Sequence, residues 1–185
     1  MNYLESYLNH ITFERGLSKL TQNNYARDIK LLLDASNEIS TPLDALKPAN
    51  IRGLIAKLHG RGLGGKSIAR MLSSWRGFFD YLVKQHNFSS NPCIGMRAPK
   101  SAKTLPQALS ADQAVQLVDI KEDDLLSLRD HAILELFYSS GLRLAELVGL
   151  DFNTLDLANG TISVTGKGNK TRIVPVGSHA ITAIQ

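Results

Sequence analysis

Apolar residues recur at helical spacing in four stretches of the first 87 residues. Residues 1–14 place Tyr, Leu and Ile side chains on one side of a helix, and Ser18 is a suitable N-cap for a second helix that reaches residue 34. A third helix is predicted over 48–59, and a fourth over 66–85, whose broad apolar face includes Trp75, Phe78 and Phe79. The pattern predicts a small all-α domain of four helices around one aromatic-rich core.

The chain then changes character. Residues 88–109 are rich in Ser, Asn and Pro and lack periodicity, which predicts an interdomain linker. Ser110 with Gln113 three residues later has the form of a capping box, and helices are predicted to follow over 112–118, 126–139 and 143–148. Residues 160–165 and 171–176 alternate in polarity about a Gly-rich centre, which is typical of a β-hairpin. The predicted fold is mainly α: a four-helix domain over 1–87, the linker over 88–109, and the first part of an α+β domain over 110–185.

Charge is divided unevenly between the two regions. Residues 1–103 hold 15 Lys and Arg against 7 Asp and Glu, whereas residues 104–185 hold 6 against 10. A basic helical domain suits a polyanion, and nucleic acid is the commonest one. A solvated basic surface without a partner explains the charge equally well.

Composition argues against several other classes of protein. No apolar run approaches the roughly 18 residues that span a bilayer, and the first residues lack the basic flank and apolar stretch of a signal peptide, so we expect a cytoplasmic protein without a membrane partner. A single cysteine, Cys93, excludes an internal disulfide, and the five histidines lack zinc-ligand spacing. No metal site is predicted.

Gly60 followed by Gly65-Lys66-Ser67 matches the G-x-x-x-x-G-K-S pattern of phosphate-binding loops. That loop follows a β-strand in nucleotide hydrolases, whereas an amphipathic helix is predicted before Gly60. We interpret the stretch as a loop between two helices and predict no bound nucleotide.

Two cations of the second region are candidates for binding an anion. Gly141 separates two helical runs, so Arg143 is predicted in the first turn of a new helix, where the helix dipole disfavours a cation. Glu146 is placed to pair with it, although an isolated surface salt bridge has the same spacing. Lys167 lies between two glycines at the hairpin tip, which permit close approach to a ligand, although an ordinary exposed hairpin lysine has the same surroundings.

These signals converge on a family resemblance. The runs RDHAILELFYSSGLRLAELVGLD (129–151) and VTGKGNKTRIVPVG (164–177) closely resemble Xer-type tyrosine site-specific recombinases, including the spacing of 24 residues between Arg143 and Lys167. The resemblance extends over the whole chain. Residues 1–87 are similar to the SAM-like core-binding domain of that family, and residues 110–185 to the first part of its catalytic domain.

The resemblance implies site-specific DNA recombination. In that family a tyrosine attacks a DNA phosphodiester, giving a 3′-phosphotyrosyl link and a free 5′-hydroxyl without a metal or nucleotide cofactor. Arg143 matches the first catalytic arginine, and Glu146 matches the acidic residue whose expected task is to hold that arginine. Lys167 matches the hairpin lysine, whose expected role is to protonate the leaving 5′-oxygen.

The resemblance also implies DNA contacts and partners. Part of the fourth helix looks like the DNA-facing helix of the core-binding domain, and the residues predicted to contact DNA are Lys19, Arg27, Lys66, Ser67, Arg70 and Arg76. The implied partners are a duplex recombination site, a Xer-type recombinase partner in a tetramer, and the FtsK translocase. The implied role is chromosome dimer resolution at cell division.

The remaining residues of the family's constellation are not found before Gln185: a His-x-x-Arg pair, a second His or Trp, and a nucleophilic tyrosine on a C-terminal helix. All five tyrosines precede Lys167. We therefore expect a C-terminally truncated recombinase that binds DNA and is inactive alone. A phage or transposon integrase and a non-catalytic DNA-binding regulator are the alternatives.

Overall fold

The computed structural model describes residues 2–101, 105–120, 124–166 and 168–185. It divides into two compact units, Met1–Thr104 and Leu105–Gln185. The described chain is mainly helical with one small antiparallel sheet, which confirms the predicted fold class.

The first unit contains the four helices that the sequence predicts. They are α1 (Tyr3–Asn9), α2 (Lys19–Glu38), α3 (Pro48–Gly60) and α4 (Gly65–His86). The chain continues from α1 through a π-helical turn over His10–Glu14, and a 3-10 turn over Leu43–Ala45 precedes α3. Ser18 caps α2 by accepting a hydrogen bond from the backbone N–H of Thr21, as its place before the apolar run predicts.

The stretch that matches the phosphate-binding pattern joins two helices. Gly60 is the last residue of α3, and Gly65 is the first residue of α4. No β-strand delivers this loop, because α3 leads into it. The interpretation of the stretch as a connection between helices is confirmed.

The first unit has an aromatic core. Trp75, Phe78 and Phe79 of α4 are fully buried and pack with buried residues of α1, α2 and α3. The indole N–H of Trp75 donates a 2.7 Å hydrogen bond to the carbonyl oxygen of Asp28, which joins α4 to α2. The broad apolar face read from the sequence is therefore the face around which the other helices pack.

The segment after α4 folds back onto the first unit. Cys93 is fully buried, and Met96 packs against the core. A Cβ atom at Gly65 would lie 2.2 Å from the carbonyl oxygen of Pro99 and 2.6 Å from the hydroxyl of Ser101, so only glycine lets this segment pass the start of α4. Much of the stretch interpreted as a linker thus packs as part of the helical unit.

The second unit combines helices with a three-stranded sheet. Its helices are α5 (Ala111–Val118), α6 (Leu125–Ser140), α7 (Leu144–Val148) and α8 (Ser178–Ile184), and its strands are β1 (Leu155–Asp156), β2 (Thr161–Thr165) and β3 (Thr171–Pro175). The strands lie in the order β1-β2-β3 and are antiparallel. The capping box at Ser110 and the β2–β3 hairpin are confirmed, whereas β1, α8 and a 3-10 turn over Phe152–Thr154 were not predicted.

The register of the hairpin decides which side chains face inward. Ile162 pairs with Val174 and Val164 pairs with Arg172, so these four residues share one face of the sheet. Ile162 and Val164 are buried in the core of the second unit. Arg172 therefore lies on the face that packs inward, although it is charged.

The second unit has a smaller core than the first. Its buried cluster includes Ile162 and Ala180, which are fully buried, and Leu136, the buried residue of α6. Several large apolar residues of this unit are exposed, among them Leu125 and Phe152. In the described part of the chain no helix is long and apolar enough to cross a membrane.

Candidate active site

Arg143 is placed by the break between two helices. Gly141 ends α6 in the left-handed conformation with φ 56°, Leu142 is buried, and Arg143 is the N-cap of α7 with extended backbone angles. The prediction that Arg143 lies within the first helical turn is wrong by one residue. As the N-cap, Arg143 can direct its side chain away from the helix axis, and that side chain is 70% exposed.

Glu146 closes the first turn of α7 onto Arg143. One carboxylate oxygen accepts the backbone N–H of Arg143 at 2.8 Å, and the other accepts the Nη1 donor of the Arg143 side chain at 2.8 Å. The Glu146 side chain is only 2% exposed. The pair is therefore no ordinary surface salt bridge, because its acidic member is buried.

Arg172 on β3 supplies a second cation to the same carboxylate. Its Nη1 atom donates to Oε1 of Glu146 at 2.5 Å, and its Nη2 atom donates to Oε2 at 2.9 Å. This two-pronged contact is the geometry in which guanidinium and carboxylate groups interact most strongly. Arg172 was not predicted as a site residue, although its place in the hairpin alternation was a sign of one, because a charge on the inward face needs a partner.

The two arginines keep Glu146 ionised. The Arg172 hydrogen bonds, followed by the backbone N–H and then the side chain of Arg143, lower the pKa of Glu146 to about 2 although burial acts in the opposite direction. The same contact raises the pKa of Arg172. At neutral pH the group is an anion held between two cations, which leaves one positive charge uncompensated among these three side chains.

Lys167, the second catalytic residue predicted from the resemblance, lies outside the described residues. Its neighbour Gly166 is described, and the backbone N–H of Gly166 donates a 2.8 Å hydrogen bond to the carbonyl oxygen of Lys170 across the hairpin. A Cβ atom at Gly166 would lie 3.0 Å from Oε1 of Glu146 and 3.3 Å from Nη1 of Arg172. The chain next to Lys167 thus passes directly beside the Glu146 carboxylate.

The arrangement provides exposed donors for an anion. Arg143 uses its backbone N–H and Nη1 on Glu146, and within the described part of the chain its Nε and Nη2 atoms make no hydrogen bond. A guanidinium that is held on one side and exposed on the other can donate two hydrogen bonds, one to each of two phosphate oxygens. No cluster of three or more His, Cys, Asp or Glu side chains suited to a metal ion occurs within the described residues.

The residues predicted to contact DNA fall on α2 and α4 of the first unit. Lys19 and Arg27 are exposed on α2, and Lys66 and Ser67 are exposed in the first turn of α4. Arg27 also donates to the side chain of Asn24 at 3.3 Å. Most of this set is thus accessible to a ligand.

The two arginines of α4 have partners within the protein. Arg70 is bonded to the carboxylate of Asp28, which is 2% exposed, and burial raises the pKa of Asp28 against the opposing effect of Arg70. Arg76 is half-buried and donates to the carbonyl of Met96 at 3.2 Å. Replacing Arg70 would leave Asp28 without its cation, so such a variant would test stability as well as DNA binding.

Comparison with known proteins decides the family. The family model described as phage integrase, N-terminal SAM-like domain, matches residues 4–86, and the model described as phage integrase family matches residues 107–185. The chain belongs to the phage integrase family. Each of the two structural units therefore corresponds to one domain model of that family.

Curated relatives extend the match along the whole chain. The chain is 45% identical over 183 residues to tyrosine recombinase XerC of Xylella fastidiosa, covering 98% of this chain and 62% of that protein. It is 45% identical over 184 residues to tyrosine recombinase XerC of Pseudomonas aeruginosa, covering 98% of this chain and 61% of the relative. The chain thus spans less than two thirds of the length of these relatives, and it is similar to tyrosine recombinases of the phage integrase family throughout.

Solved structures share the fold. The Tn1549 transposon integrase in complex with transposon right end DNA superposes with a TM-score of 0.75 at 19% identity, covering 100% of this chain and 64% of that one. A lambda integrase dimer bound to a core site superposes with a TM-score of 0.74 at 21% identity, covering 94% of this chain and 60% of the integrase. At these identities the likeness shows the fold of the phage integrase family and nothing more specific.

Proposed function

We propose that this chain binds duplex DNA and supplies Arg143 and Lys167 to the cleavage of a DNA phosphodiester in site-specific recombination. The observation that supports this proposal best is the exposed guanidinium of Arg143, fixed from behind by the buried carboxylate of Glu146. The basic first unit would supply affinity for the DNA backbone.

Arg143 would stabilise the charge that develops on the phosphate. Attack on a phosphodiester gives a five-coordinate phosphorane with additional negative charge on its oxygens, and fixed cationic donors are more effective there than mobile ones. The contact with Glu146 provides such fixation because it holds the backbone N–H and the side chain of Arg143 together. Glu146 itself would position Arg143 without touching the substrate.

Lys167 would act on the leaving group. Departure of the 5′-oxygen requires a proton, and an ammonium group at a hairpin tip can deliver one if the tip approaches the DNA. The position of Gly166 beside Glu146 supports this role, because the backbone immediately before Lys167 lies next to the carboxylate that holds Arg143.

We propose that none of the five tyrosines of these residues is the nucleophile of the reaction. Tyr3, Tyr7, Tyr25 and Tyr81 belong to the first unit, and Tyr138 lies on α6 ahead of Arg143. In our proposal the 185 residues therefore bind DNA and do not form a phosphotyrosyl link by themselves. A tyrosine elsewhere in the full-length protein would attack the phosphate.

The proposed cellular role is based on similarity to the relatives. Similarity to several proteins named tyrosine recombinase XerC supports chromosome dimer resolution at cell division as the role, with a Xer-type partner and the FtsK translocase as candidate partners in the cytoplasm. The lambda integrase tetramer bound to a Holliday junction supports a tetramer as the working assembly. A phage or transposon integrase is the nearby alternative.

The deciding experiment uses a nicked duplex that traps a covalent adduct. The duplex would carry the site that the full-length protein selects from a random-sequence pool. The full-length protein should form a phosphotyrosyl adduct, and Arg143→Ala should lose the adduct while it binds the duplex with nearly unchanged affinity. A wild-type protein that binds the duplex and never forms an adduct would instead be a non-catalytic DNA-binding regulator.

A further inference from the structure

Arg172 is a cation on the inward face of a strand. It pairs with Val164 and lies two residues from Val174, both of which are buried. Its own side chain is 41% exposed, and its guanidinium turns to Glu146 at the edge of this core. The hairpin register therefore brings Arg172 to the residue that holds Arg143.

The two arginines use Glu146 differently. Both Nη atoms of Arg172 donate hydrogen bonds to the carboxylate, one to each oxygen, and so fix the plane of that group. Arg143 contributes one Nη atom and its backbone N–H. Because the carboxylate that receives Arg143 is held by Arg172, a change at Arg172 would be transmitted to the Arg143 guanidinium.

We propose that Arg172 is a positioning residue for phosphodiester cleavage, acting on Arg143 through Glu146. This inference rests on the function proposed above. The contact joins α7, whose N-cap is Arg143, to β3, the strand that follows Lys167 in the sequence. Arg172 therefore connects the two elements that flank the proposed catalytic groups in the sequence.

The packing at Gly166 supports the same assignment. A side chain at this position would meet Oε1 of Glu146 at 3.0 Å and Nη1 of Arg172 at 3.3 Å. The backbone immediately before Lys167 is thus in contact distance of the ion pair. Loss of the Arg172 guanidinium would remove one wall against which this backbone packs.

The test measures single-turnover cleavage and DNA affinity of the full-length protein. Arg172→Gln should slow adduct formation by about 100-fold, the scale expected when a catalytic group is displaced by about 1 Å, while the dissociation constant for the duplex stays within about threefold. Arg172→Lys should recover only part of the rate, because an ammonium group cannot hold both carboxylate oxygens. Arg129→Gln is the charge-matched control, since it removes an exposed arginine from a surface pair with Asp130 on α6.

A double-mutant cycle separates positioning from simple loss of stability. If Arg172 acts through Glu146, the variant carrying both Arg172→Gln and Glu146→Gln should cleave no more slowly than Glu146→Gln alone. Effects that multiply would overturn the proposal, as would Arg172→Gln cleaving at the wild-type rate. If Arg172→Gln alone unfolds, the comparison of the double variant with Glu146→Gln still tests the proposal, because the double variant leaves no buried carboxylate that has lost a partner. Failure of wild-type protein to form any adduct would contradict the proposed function instead.

Discussion

Glu146 is buried, ionised and bonded on both oxygens, and these properties depend on each other. A carboxylate taken out of water is costly unless donors replace the lost solvation, and here the donors belong to Arg143 and Arg172. The same bonds fix the orientation in which Arg143 presents its remaining donors. At this site stability and proposed chemistry thus depend on one carboxylate.

Stability should fall in acid because of Glu146. Its pKa is about 2 in the folded protein, against an ordinary value of 4.5, so the ionised form stabilises the fold above pH 4.5. That contribution should be lost as the pH falls from 4.5 towards 2. Denaturant unfolding across this range, followed by circular dichroism, should show a weaker pH dependence for Glu146→Gln than for wild type.

Asp130→Asn is the control for the acid titration. Asp130 pairs with Arg129 at the surface, with 52% of its side chain exposed, so this substitution should change the stability of the fold little. If both variants followed the wild-type acid transition, the buried ion pair would not govern acid stability.

Lys167 offers a second prediction on the proposed chemistry. Lys167→Ala in the full-length protein should slow cleavage of an ordinary duplex by about 100-fold or more, the usual worth of general acid catalysis. A duplex with a 5′-bridging sulfur needs no proton on its leaving group, so cleavage of it by this variant should approach the wild-type rate. An equal loss of cleavage rate on both duplexes would show that Lys167 is not the proton donor.

At the scale of elements, the start of α4 depends on the absence of a side chain. Gly65→Ala would place its Cβ 2.2 Å from the carbonyl oxygen of Pro99, which is backbone and cannot rotate away. We expect a loss of about 1–3 kcal/mol in the free energy of unfolding, the usual cost of overpacking. Chemical denaturation of the 185-residue chain measures this directly.

Gly53→Ala is the matched control within the same unit. Gly53 lies inside α3, and a Cβ there meets nothing within 4 Å. Alanine favours a helix interior over glycine, so this variant should gain about 0.5–1 kcal/mol. Equal effects of the two substitutions would show that the segment after α4 does not pack where the structure places it.

The sequence predicts elements where periodicity is long and misses those where it is short. Four helices of the first unit and the β2–β3 hairpin follow from apolar spacing and capping residues. β1 has only two residues, too few for alternation to be visible, and α8 carries no capping side chain at Gly177. Such elements form through tertiary contacts that a local pattern does not contain.

The candidate site shows the same limit. The family motif points to Arg143, Glu146 and Lys167. Arg172 lies 26 residues from its partner Glu146, and the resemblance assigns no role to it. Its pairing depends on the register of the hairpin against α7, which only the folded chain specifies. A cation in an otherwise apolar alternation was the one local sign of it.

At the scale of the whole molecule, the charge asymmetry predicts where non-specific DNA affinity arises. Binding of the 185-residue chain to duplex DNA should weaken steeply with salt, because phosphate contacts release counterions. Lys66→Ala should reduce the slope of log affinity against log salt by about one if Lys66 meets a phosphate. A fluorescence anisotropy titration at several salt concentrations measures the slope.

Lys57→Ala is the charge-matched control for the salt titration. Its ammonium group is bonded to Glu38 at 2.6 Å, so that cation is already compensated within the protein. The control should leave the slope nearly unchanged. Identical slopes for wild type and both variants would place the DNA surface elsewhere in the molecule.

The burial of Trp75 gives the protein an internal reporter. It is the single tryptophan of the sequence, it is fully buried in the first unit, and its indole is fixed by Asp28. Its emission therefore reports the opening of that unit alone, whereas the only aromatic hydroxyl of residues 105–185 belongs to Tyr138, which is 57% exposed. Selective excitation of Trp75 at the red edge of its absorption would therefore follow unfolding of the helical unit without any label. Comparison with unfolding of the whole chain, followed by circular dichroism, would reveal whether the two units unfold together or one after the other.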